Sequence, residues 1–171
     1  MKVISNEVID RTWIEMNSMS PPELIRLVET MSKEQPSILA YLMAAGTDRL
    51  TQEEHELLIF SGVTLWRMVN NAGITLKPIS VHDLTTAEET NLKMLEYLSE
   101  ESETDLLRTV ETLWKGYKQK GLLMFVIESL VEEEEPEEDE FIINDESLAY
   151  MFICLKTVID CMDQTGKSDP D

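Results

Sequence analysis

The 171 residues carry 14 Lys and Arg against 34 Asp and Glu, a formal net charge of −20, with 43% apolar and 6% aromatic residues. A chain of this length buries a core without staples, and six Gly and six Pro exclude a collagen-like or low-complexity polymer. So negative a charge argues against a nucleic-acid backbone or an anionic membrane as partner, because both need clustered Lys and Arg, and it suits a basic protein.

Helix signals fill the chain. Ser5 caps a segment to about Met19, with Val8, Ile9, Thr12, Trp13 and Met16 at helical spacing. Ser20 and Pro21 restart a helix through Lys33, and Pro36 opens a short apolar helix stopped by Gly46. Thr51 with Glu54 three residues on is a capping box for a helix to Asn71, with Gly73 as its stop. Residues 74–85, with Pro78, read as a linker, and Thr86 caps the next helix to about Ser99. Ser102 caps another that Gly121 ends. The apolar stretch Leu122 to Val131 follows, either a helix or, with Phe141 to Ile143, two short strands. The acidic run at 132–140 reads as an inserted loop, a last helix runs from Asn144 or Asp145 to Gln164, and 167–171 read as a flexible tail. The expectation is an all-α fold of seven to eight helices in one compact domain, 1–171. No apolar run approaches a membrane span, the longest being Leu148 to Leu155, and the acids in MKVISNEVIDRTW do not fit a secretion signal. The expected location is cytoplasmic.

The second half repeats the first. LIRLVETMSK at 24–33 aligns without gaps to LLRTVETLWK at 106–115, identical at Leu24/Leu106, Arg26/Arg108, Val28/Val110, Glu29/Glu111, Thr30/Thr112 and Lys33/Lys115. QPSILAYLM at 35–43 matches QKGLLMFVI at 119–127 in apolar pattern, and residues 50–73 match 143–166 from cap to terminal glycine. The three blocks recur in the same order, and the acidic run absorbs the extra length. This predicts two copies of a four-helix unit, about 5–73 and 86–166, packed about a pseudo-two-fold axis as a single bundle. The fourth helix of each copy is apolar around much of its girth and needs cover on several sides. Gly62, in the middle of one of them, suits a close helix crossing.

Chemistry-bearing constellations are sparse. Cys154 and Cys161, seven residues apart on one helix, stand about 10.5 Å apart along its axis, beyond disulfide reach, and read as core thiols. His55 begins HELLI, which lacks the second histidine of HExxH, and Gln52 stands where a di-iron bundle places Glu. His82 has no partner in local sequence. Glu53, Glu54, His55, Glu88 and Glu89 are the weak candidates for a divalent-metal site, although acids in a first helical turn already interact well with the helix dipole. No phosphate loop, dinucleotide fingerprint or nucleophile elbow occurs, so no cofactor and no catalytic residue is assigned. The acidic run offers Glu132, Glu133, Glu134, Glu135, Glu137, Glu138, Asp139 and Glu140 as a docking strip for a basic partner. The ten Met residues read mostly as core filler. The expectation for function is a non-enzymatic protein–protein interaction module or adaptor, with a divalent-metal-dependent enzyme using helix carboxylates as the rival; the sequence assigns no oligomeric state.

Overall fold

The computed structural model describes residues 1–100, 112–131, 143 and 145–168. They are predominantly helical: α1 (Asn6–Ser18), α2 (Pro21–Glu34), α3 (Pro36–Ala44), α4 (Gln52–Asn71), α5 (Val81–Glu100), α6 (Lys120–Leu130) and α7 (Asp145–Thr165). Residues 112–116 are also helical. Two three-residue strands, β1 (Ile74–Leu76) and β2 (Gly166–Ser168), pair antiparallel with Thr75 opposite Lys167. None of these helices is long and apolar enough to cross a membrane.

Local chemistry accounts for most boundaries. Ser20 and Glu23 form one capping box and Thr51 and Glu54 another, each supplying partners to orphan amides at a helix start. Gly46 and Gly73 follow α3 and α4 with φ of 70° and 69°, the left-handed backbone that glycine adopts without a Cβ penalty. Leu122–Val131 is helical as far as Leu130, which removes the strand alternative there.

Several boundaries differ from the sequence reading. Helix α5 starts at Val81 rather than after Thr86, because Ser80 caps it: the Ser80 amide donates to Asp83 Oδ2 at 3.0 Å and the Asp83 amide to Ser80 Oγ at 3.2 Å. The stretch taken as a linker therefore holds β1 and the first turn of α5. Gly121 ends no helix; it lies in the first turn of α6, where a Cβ would sit 2.7 Å from Ile9 Cδ1. The break comes before it, at Gln119, which precedes α6 with φ −95° and ψ 53°. Residues 167 and 168 of the expected tail belong to β2. The acidic run 132–140 and the Ser102 cap lie outside the described residues.

Helices α4 and α7 lie together at the centre. Leu58, Leu65, Trp66, Met68 and Val69 of one and Met151, Leu155, Val158, Ile159 and Met162 of the other are all buried in one core cluster. Each large side chain so buried contributes roughly 1.5–3 kcal/mol. Around this pair, α1 and α3 pack on α4, while α5 and α6 pack on α7; α3 also touches α5, and α6 touches α1. Gly62 is where α3 crosses α4: a Cβ there would be in hard overlap with the buried Leu42 side chain.

Two buried glutamines tie the helices to the segments that lead into them. Gln35 Nε2 donates to the Lys77 carbonyl at 3.0 Å, and the Ile79 amide donates to Gln35 Oε1 at 3.0 Å. Gln119 does the same to the start of the chain, donating from Nε2 to the Lys2 carbonyl at 3.0 Å and accepting from the Ile4 amide at 3.2 Å. Both side chains use their amide oxygen and nitrogen as a strand neighbour would use its backbone.

Candidate functional site

Among the described residues the weak metal candidates form no group of three that could hold an ion, and Glu54, His55 and Glu88 have structural partners. Glu54 is 1% exposed and its Oε2 accepts the Thr51 amide at 2.8 Å, so the capping box uses it. His55 Nε2 lies 3.1 Å from the Leu42 carbonyl, which fastens α4 to α3. Glu88 Oε1 accepts the Tyr41 hydroxyl at 2.7 Å. Glu53 and Glu89 are exposed. Among the described residues no three His, Cys, Asp or Glu side chains are grouped to hold a metal ion.

Among the described residues, three carboxylates that sequence reasoning did not bring together line one polar cleft of about 310 Å³, with Asp83, Asp160 and Asp163 beside His82 and Tyr117. Its acids are engaged. Asp160 accepts from Tyr117 OH at 2.7 Å, Lys156 Nζ at 2.7 Å and Asn91 Nδ2 at 3.0 Å, joining α5, α7 and Tyr117. Asp163 Oδ1 accepts from Gln119 Nε2 at 2.7 Å, and Asp83 caps α5. Burial and then the neighbouring Asp160 carboxylate push the Tyr117 phenol well above its ordinary pKa, so it stays a neutral donor. The cleft is a polar joint between helices.

A corresponding joint ties α1 to α4. Arg67 Nη2 donates to Glu15 Oε1 at 2.6 Å, and Asn71 Nδ2 donates to Glu15 Oε2 at 2.7 Å. Burial alone raises the pKa of Glu15; the bonds from Arg67 and Asn71, with the charges of Arg67 and Arg11, outweigh it and leave the carboxyl below its usual value. The two cysteines are buried, as their apolar neighbours implied. Burial raises the Cys154 thiol to about 11 against the opposing influence of the nearby Tyr41 and Tyr150 hydroxyls, and burial with nearby Asp160 and Asp83 raises Cys161 to about 12. Both are protonated and unreactive at neutral pH.

One open groove among the described residues is mainly apolar. Leu24 and Val28 of α2 and Leu57, Ile59, Phe60 and Val63 of α4 line a groove of about 500 Å³ whose lining includes a single charged residue, Glu56. Its lining on α4 is built by period: Glu56, Phe60 and Val63 recur at i, i+4 and i+7 along one side of the helix, from exposed Glu56 to buried Val63. Trp13 of α1 stands edge-on to Phe60 at 6.1 Å and is 37% exposed, and Ile25 beside Leu24 is 60% exposed. The sequence shows the signal only in hindsight: α2 carries Leu24, Ile25 and Val28 besides Leu27 and Met31, a wider apolar stripe than its two buried positions use.

Compared with protein-family models, curated proteins and solved structures, the chain matches none.

Proposed function

We propose that this chain is a non-enzymatic protein–protein interaction module of the cytoplasm, built as two copies of one helical unit related by a pseudo-two-fold axis. The observation that carries the interaction reading is the α2–α4 groove, an apolar channel lined by Leu24, Val28, Leu57, Ile59, Phe60 and Val63. Exposed apolar patches rimmed by polar residues mark interaction sites more often than chance surface. The acids that suggested the rival divalent-metal reading are divided between the first turn of α4 and the interior of α5, which begins at Val81 and so carries Glu88 and Glu89 beyond its first turn, and capping and inter-helix bonds engage Glu54 and Glu88.

The two-copy reading is supported by equivalent contacts. Lys2, Ile4 and Ser5 recur as Lys77, Ile79 and Ser80, and Gln119 and Gln35 hold the two segments with the same pair of bonds. This would begin the copies at about residues 2 and 77, earlier than the helical matches alone suggest. The contacts of α1 and α3 with α4 match those of α5 and α6 with α7, and the crossed contacts α3 to α5 and α6 to α1 are what a two-fold axis requires. Carrying the alignment onward makes Thr64 and Thr157 equivalent, both fully buried. It also exchanges one apolar pair for a polar one: Trp13 against Phe125, with centroids 5.4 Å apart, corresponds to Glu88 accepting from Tyr41.

Affinity capture with the full chain tests the function, run at low and high salt beside calorimetry with Mg²⁺, Mn²⁺ and Zn²⁺. A protein partner and no metal heat are expected. Micromolar metal binding with no partner would favour the enzyme reading.

A further inference from the structure

We propose that the groove between α2 and α4 receives the apolar face of a basic amphipathic helix from another protein, an inference that rests on the interaction-module reading above. The shape sets the first condition. The floor side chains Phe60 and Val63 and the wall side chains Leu24 and Val28 lie on two neighbouring helices, and the strip from Leu57 to Val63 runs about 9 Å along α4 at 1.5 Å per residue. A channel of that form takes side chains at i, i+3, i+4 and i+7 of a helix, the recognition mode in which an amphipathic helix lies in an apolar groove.

Charge selects among the occupants. Glu56 lines the groove, Glu53 precedes it on the exposed surface of α4, and neither has a salt-bridge partner among the described residues. The next charged residue along that side, Arg67, is already bound by Glu15 at 2.6 Å. On α2, Lys33 lines the separate cleft beside β1, and Arg26 falls on the same side as Lys33 by the helical period. Among the described residues the groove mouth is therefore acidic with no salt bridge to neutralise it, although Glu56 Oε1 accepts from Gln52 Nε2 at 2.8 Å. Its own acidic stretch 132–140 carries eight carboxylates in nine residues, the same sign as the mouth. A second copy brings a net charge of −20 towards −20. A helix with Leu or aromatic anchors on one face and Lys or Arg flanking them satisfies both the apolar floor and Glu53 and Glu56.

The probe is a synthetic Leu/Lys amphipathic peptide of about 14 residues, roughly 21 Å as a helix, titrated into the isotope-labelled full chain and followed by amide chemical shifts. A scrambled isomer of equal charge and a Leu/Glu analogue serve as controls. Expected are shifts confined to residues about Leu24, Val28, Leu57 and Phe60, and affinity for the Leu/Lys peptide at least about tenfold above either control. Val28→Glu and the exposed Glu56→Lys should each weaken it about tenfold, with thermal melts confirming that the variants fold. Equal binding of the scrambled peptide, shifts elsewhere on the surface, or folded variants that bind undiminished would overturn the groove assignment. Affinity capture separates the two readings: a protein partner retained by folded Val28→Glu leaves the module and removes this groove, whereas no partner for the unaltered chain removes the module itself.

Discussion

Gln35 and Gln119 show how much one buried amide can do. Each is almost wholly buried and each closes two bonds to a neighbouring backbone segment, so truncation strands an amide and a carbonyl at once. An unsatisfied buried group costs about 1–3 kcal/mol, so Gln35→Ala and Gln119→Ala should each lower stability by at least about 2 kcal/mol. Denaturant unfolding measures this, and a loss below about 0.5 kcal/mol for either would mean that water replaces the side chain. Glu15 makes a pH-dependent contribution of definite sign. Its folded pKa lies below the ordinary carboxylate value, so its stabilisation is present above the unfolded pKa and is lost as pH falls through the folded one. Glu15→Gln should flatten the acid limb of a stability profile taken from pH 7 downward, and an unchanged limb would show that the Arg67 pair is fully screened.

At the scale of the element, the crossing of α3 over α4 turns on Gly62. Alanine is the better helix former by up to about 1 kcal/mol, yet its methyl would overlap the buried Leu42 side chain. Overpacking costs about 1–3 kcal/mol, so Gly62→Ala should be destabilising on balance, with Gly62→Ala/Leu42→Ala recovering part of the loss in unfolding measurements. Helix identity was legible because capping boxes at Ser20 and Thr51 and the stops at Gly46 and Gly73 act within a few residues. The start of α5 was legible in principle, since Ser80 and Asp83 obey the same spacing, but Pro78 and the polar residues around it gave the stretch the look of a linker. What settles the conformation there is Gln35 reaching across to Lys77 and Ile79, a tertiary contact with no local trace. The groove was hidden for a different reason: Leu24, Val28 and Phe60 are the residue types of a core, and only the absence of a covering helix among the described residues distinguishes them. Three-residue strands such as β1 and β2 are too short for period-two alternation to register.

Over the whole molecule, the two-copy proposal makes the halves mutually dependent but unequal. Each central helix is covered partly by the other, and α3 and α6 reach across to α5 and α1, so either half alone exposes Leu58 and Trp66 or Met151 and Val158. A first half, 1–76, has a way to hide them by pairing with itself. In such a dimer β1 meets its own copy, and Tyr41 takes the place of Phe125 against Trp13, one aromatic ring for another. A second half, 77–171, does not, because its dimer would set the Glu88 carboxylate against the Phe125 ring with no hydroxyl to donate to it. Sedimentation and thermal melting should therefore find the first half dimeric, the second half aggregated, and the mixture recovering one cooperative transition. If either fragment melted cooperatively as a monomer, the halves would be independent domains and the two-fold account would fail; if Glu88→Leu left the second half as aggregated as before, the Trp13/Glu88 exchange would not be what separates them.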